Sequence, residues 1–136
     1  MHATDDVIEP DDIIILEEKW MAWFLRLLAL LYLLWGAANW AAIIGVPGTA
    51  DFLQSSLPRQ VLIGYLAVMM PIAAVGLWVT SSWGTVIWLV VALSEVVANT
   101  LFADIFGWAF DLVAFHIVTM AIYLALAWRM SRRRTG

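Results

Sequence analysis

Four long, predominantly apolar stretches, separated by short clusters of Gly, Pro, Ser, Thr and Asp, make up most of this chain. The first runs from about Trp20 to Ile44 and is stopped by Gly45, Pro47 and Gly48. The second covers about Val61 to Val79 and ends at Thr80, Ser81 and Ser82. The third, Trp83 to Phe102, gives way to Asp104 and Gly107, and the fourth is Ala109 to Trp128. Each has the length of a helix that crosses a hydrocarbon core about 30 Å thick. Closed barrels are the other spanning solution, but they require strands of alternating polarity, and these runs do not alternate. The pattern predicts an all-α fold, an integral membrane antiparallel four-helix bundle with spans at about 20–44, 61–79, 83–102 and 109–128. Short connections favour antiparallel neighbours.

The flanks are polar. Residues 1–19 form an acidic lead carrying Asp5, Asp6, Glu9, Asp11, Asp12, Glu17 and Glu18. Its front reads as solvated chain, and Pro10-Asp11-Asp12 reads as the start of a short juxtamembrane helix that continues into the first span. Between the first two spans, Asp51 is expected to cap a short surface helix and Pro58-Arg59 to end it. Residues 129–136 form a basic tail in which Arg129, Arg132, Arg133 and Arg134 suit anionic lipid. Four spans put both termini on one side, and Lys and Arg mark the cytoplasmic side. The expected topology is therefore N-in, C-in, with Arg59 the one base outside. The acidic start does not match a cleavable signal, so the mature chain is expected to keep its N-terminus.

Composition agrees with lipid as the solvent. Of 136 residues 64% are hydrophobic, and the mean hydropathy is +0.90, against about 45–50% apolar in a soluble domain. Seven of the nine tryptophans fall near the ends of spans, where amphipathic rings prefer the headgroup level. Trp35 and Trp88 lie deeper and read as packing or lipid-facing residues. With no cysteine, disulfides and thiol chemistry are excluded. The net charge of −4 hides an acidic front and a basic back, an asymmetry that concerns topology and not nucleic acid. The chain has no phosphate loop, zinc-ligand spacing or GxSxG elbow. One internal histidine is too few for a bis-histidine haem, so no metal or other cofactor is expected.

The candidate chemistry is a small set of polar groups inside the apolar runs. Glu95 lies near the centre of the third span, where an ionised carboxylate costs about 2.5–3.5 kcal/mol on insertion scales. At 1.5 Å per residue it lies about 18 Å from the inner end of its span, and His116 lies about 20 Å from the same surface. Reflection about the turn near Ile105 and Phe106 also carries position 95 onto 116. Glu95 shares a helical face with Trp88, Ala92, Asn99 and Phe102; His116 shares one with Leu112, Met120 and Tyr123. The two stripes are expected to converge. Tyr32 lies at the depth of Glu95, on a face with Gly36 and Asn39. Two roles are open for Glu95, His116, Asn99 and Tyr32: a proton-carrying site, or interhelical hydrogen bonds that fix register. Pro71, midway along the second span, predicts a kink and a freed carbonyl at Ala67, in reach of His116 or Tyr32. Arg26, about 9 Å into the first span, is expected to snorkel to the headgroups, with pairing to Glu95 the alternative.

The run Glu18-Lys19 with Trp23-Phe24-Leu25-Arg26-Leu27-Leu28-Ala29-Leu30 resembles a family of small four-span proteins of alphaproteobacteria. Gly76-Leu77-Trp78, Trp83-Gly84, Ile87-Trp88, Glu95 and His116 belong to the same resemblance. It implies a multi-pass protein of the bacterial inner (cytoplasmic) membrane with no assigned function, and it transfers no catalytic residue. Small multidrug transporters also have four spans and a membrane glutamate, but theirs lies in the first span and this one in the third. The expected function is a non-enzymatic accessory or scaffold subunit with a membrane-protein partner or a second copy of itself. The alternative is a proton-coupled small-solute carrier or regulator that uses Glu95 and His116.

Overall fold

The computed structural model describes residues 10–135, with side chains from Ile15 onward. The expectation for Asp5, Asp6 and Glu9 lies outside the described residues, as do the side chains of Asp11 and Asp12. Four long helices carry the fold: α1 (Pro10–Ile43), α2 (Leu57–Trp78), α3 (Ser82–Thr100) and α5 (Phe110–Arg134), with one short turn of helix, α4 (Ala103–Phe106), between the last two. All four long helices are apolar enough to cross a membrane. Each long helix packs on two neighbours, α1 on α2 and α5, and α3 on α2 and α5, so that α1 and α3 lie across the bundle from one another. The result is an all-helical four-helix bundle. A helix satisfies its backbone groups internally, which is why continuous apolar sequence takes this form in lipid.

The buried core is small and specific. Leu25, Leu28, Ala29 and Tyr32 of α1 meet Leu66, Met70, Ala73, Ala74 and Leu77 of α2 and Trp88 and Val91 of α3. Large apolar side chains such as Leu34, Val68, Val86 and Leu124 stay exposed on the outside of all four helices, the surface a lipid environment would cover.

α2 and α3 join through a close backbone contact. α2 closes in a Schellman arrangement: Ser81 N donates to Gly76 O at 3.0 Å and Thr80 N to Leu77 O at 3.0 Å. Thr80 takes the left-handed position, with φ 53°. Ser81 then caps α3, its hydroxyl accepting from Gly84 N at 3.2 Å and donating to Gly76 O at 2.9 Å. Gly76 and Gly84 face each other backbone to backbone, and a Cβ on either would overlap the other.

Pro71 behaves as a designed irregularity. Gly36 of α1 gives it room, since a Cβ there would lie 2.9 Å from the proline ring. The carbonyl of Ala67, deprived of its helical partner, accepts from the Trp40 indole at 2.8 Å. Neither His116 nor Tyr32 is the donor, in contrast to the sequence expectation. The reason is register: Trp40 lies one turn beyond Gly36, on the side of α1 that meets α2. Trp40→Phe is expected to cost about 1 kcal/mol by stranding that carbonyl. In a Pro71→Ala background, where the helical N–H returns, the cost should largely vanish. Unfolding in mixed detergent–SDS micelles reads both, and equal costs in the two backgrounds would refute the coupling.

Two further expectations change. Pro58 and Arg59 do not end a surface helix after Asp51; they open α2, with Ser56 at the N-cap and proline in the first turn. That position has no helical acceptor for an N–H, so proline loses nothing there. The basic residues 129–134 are also no tail, because α5 continues through Arg134. Glu17 lies within ion-pair reach of Arg133 (3.3 Å) and Arg129 (3.9 Å), and Glu18 lies 3.2 Å from Arg134. Arg132 lies over the Trp128 ring. The arginines read in the sequence as a lipid contact are engaged mostly by α1, and cations also suit a helix C-terminus.

Candidate functional site: a carboxylate–imidazole–phenol array below an open cleft

Three helices bring one polar group each to the middle of the bundle. His116 on α5 is fully buried. Its Nδ1 lies 3.4 Å from the Tyr32 hydroxyl on α1, and its Nε2 lies 3.5 Å from Glu95 Oε1 on α3. A neutral imidazole has one donor and one acceptor. The tautomer that satisfies both neighbours accepts the phenol proton at Nδ1 and turns Nε2–H toward the carboxylate. Carboxylate and imidazole stand at ion-pair distance, yet neither Glu95 Oε1 nor His116 Nε2 meets hydrogen-bond geometry.

Aromatic rings hold the imidazole in place. Trp35 stacks near it, with centroids 6.4 Å apart and planes 17° apart, and Phe115 meets it edge-on at 5.5 Å. Beneath Tyr32 the layer closes with Trp88, wholly buried, its Nε1 without a partner and its ring edge-on to Tyr123 at 5.5 Å.

On the other side of Glu95 the bundle is open. A cleft of about 470 Å³ reaches down to Glu95 from the end that carries the α1–α2 loop. Gly48, Thr49, Ala50, Arg59 and Phe106 form its mouth, and Trp35, Asn39, Leu66, Glu95, Asn99 and Leu112 its depth. Asn99 does not touch the carboxylate; its amide donates to the Glu95 backbone carbonyl at 2.8 Å. Asn39 similarly donates to the carbonyl of Trp35 at 2.9 Å. Ser94 meets Tyr65 at 3.1 Å on a neighbouring face and takes no part.

The expected site residues thus divide. Glu95, His116 and Tyr32 come together, Asn99 joins them only as cleft wall, and Pro71 belongs to the α1–α2 contact. Arg26 stays apart: its Nε lies 3.5 Å from the Trp78 carbonyl and its guanidinium 5.7 Å from the centre of the Trp78 ring. It interacts with the C-terminus of α2, where a cation is favoured, and not with Glu95. Sequence reasoning missed Trp35 as a wall of the site. The available signal was its place one turn after Tyr32 on an inward face.

Among the described residues no group of three or more His, Cys, Asp and Glu side chains is arranged to hold a metal ion. Fold and site define a small four-span membrane protein with a buried acid–imidazole pair at the floor of a one-sided cleft. The chain belongs to the family of unknown function DUF6163, whose model matches residues 19–134. No curated protein and no solved structure matches it.

Proposed function

We propose that the protein is a proton-coupled carrier or regulator that takes a small solute into the cleft and exchanges it against a proton on the Glu95–His116 pair. One observation carries this reading: a buried carboxylate at ion-pair distance from a buried imidazole forms the floor of an open cleft. A pair kept only to fix register needs no such access. The other titratable groups facing it are Tyr32 from α1 and, at the rim, Arg59 from α2. With both termini on the cytoplasmic side, as the basic residues favour, the cleft opens outward.

The test is Glu95→Gln in the purified protein. Infrared difference spectra across a pH titration should lose a carboxyl stretching change in the variant, while SDS-unfolding remains close to that of the parent chain. A variant that no longer assembles marks the pair as structural glue, and an unchanged spectrum excludes Glu95 as the proton carrier.

The accessory-subunit reading has one observation in its favour. Only 11% of the apolar window of α5 is buried, against 44% in α2, so α5 offers a helix face that lipid or a partner covers. Under that reading, extraction in mild detergent recovers a stoichiometric partner or a dimer. A partnerless monomer counts against it.

A further inference from the structure

Resting on the proton-exchange reading of the same cleft, we propose that its ligand is a small organic amine, bound as the ammonium ion with an apolar body. The argument starts from which atoms the deep cleft still offers. Asn99 and Asn39 both direct their amide N–H groups to backbone carbonyls. A carbonyl oxygen accepts and never donates, so each of these contacts requires the side-chain nitrogen and leaves the side-chain oxygen free. Glu95 adds a carboxylate to the lining, with its Oε1 buried toward His116 and accepting no hydrogen bond. Asn39 also turns its amide toward Met70 Sδ at 3.9 Å, so Asn99 keeps one free N–H and the other polar atoms that Glu95, Asn39 and Asn99 present are acceptors.

A ligand suited to such a floor must bring its own donors and positive charge. Trp35 adds an aromatic ring, which attracts cations, and Leu62, Leu66 and Leu112 provide apolar wall. Arg59 lines the mouth but is exposed, so its repulsion is screened by salt. Charge balances by exchange. Before binding, the pair holds one proton more than a neutral imidazole facing a carboxylate and is neutral overall. When the ammonium ion binds, that proton leaves to water, His116 is neutral, and the Glu95 carboxylate faces the cation.

Isothermal titration calorimetry on the full chain in detergent tests this with three probes of similar body: phenethylamine, phenethyl alcohol and 3-phenylpropionate. Phenethylamine should bind at least tenfold more tightly than the alcohol or the acid. Glu95→Gln should weaken it at least tenfold, and Asn39→Leu, outside the buried array, severalfold. Equal affinity for amine and alcohol, no binding of any probe, or amine affinity untouched in the Asn39→Leu protein would overturn the proposal. If Glu95→Gln does not fold, the probe series and Asn39→Leu decide alone. Repeating the titration in buffers of different ionisation enthalpy counts released protons. Amine binding without proton release upholds the ligand class and sinks the proton-exchange reading, so the two fail separately.

Discussion

Gly84→Ala is expected to destabilise the bundle by about 3 kcal/mol, the upper part of the range for overpacking a close contact. The added methyl has no flexible side chain to push aside, because its space is occupied by the backbone of Gly76. The helices must separate, and separation breaks the Ser81 bridge that caps α3 and closes α2. Gly76→Ala should cost a comparable amount, since its Cβ meets the Gly84 backbone and the Trp83 ring. By contrast, Gly64→Ala, where a Cβ meets nothing within 4 Å, should be neutral or slightly stabilising because alanine favours the helix. Unfolding of the three variants in mixed micelles checks the series. A Gly84→Ala protein as stable as Gly64→Ala would mean that the two helices do not approach in this way. Small residues at helix crossings recur in membranes because lipid supplies no hydrophobic drive and close packing must do so.

His116→Leu should produce the second large loss, about 3–5 kcal/mol, the range for removing one member of a buried charged pair. It leaves the Glu95 carboxylate and the Tyr32 hydroxyl without their shared partner. Replacing both members, as Glu95→Leu with His116→Leu, should recover most of that loss, since two apolar groups strand no charge. The same double variant must lose the carboxyl titration and the amine binding entirely. That combination, near-parental stability without activity, separates a working site from register-fixing glue. A double variant as unstable as His116→Leu alone would show that leucine cannot fill the space, and the cycle would then be repeated with Gln at both positions.

These expectations differ in how far they could be anticipated. The meeting of Glu95 with His116 was legible because helical rise is constant and the connection after Thr100 is short, so depth in one span translates directly into depth in the next. Tyr32 followed by the same measure. The glycine pair was present in the Gly76-Leu77-Trp78 and Trp83-Gly84 motifs, but two small residues near a turn have many explanations until their backbones are seen to touch. The pairing of Glu17 with Arg133 was hidden for another reason. The helical lead into the first span was anticipated, but residues 129–136 read as a tail, and only the continuation of α5 as a helix beyond its apolar run brings Arg133 beside Glu17.

Apolar run length determined the number of helices and their spanning character, because in lipid every backbone donor and acceptor must be satisfied within the segment. Helical rise and the tight turns determined which polar groups share a depth. Tertiary structure decided what surrounds those groups: Trp35 beside the imidazole, Trp88 closing the layer below, Trp40 on the carbonyl that Pro71 frees, and a cleft that stops at Glu95. Rotation of each helix about its axis, and the gap left between helices, depend on side-chain packing summed over the whole bundle. No single segment contains that sum, so the access to Glu95 from one side became visible only in the assembled molecule.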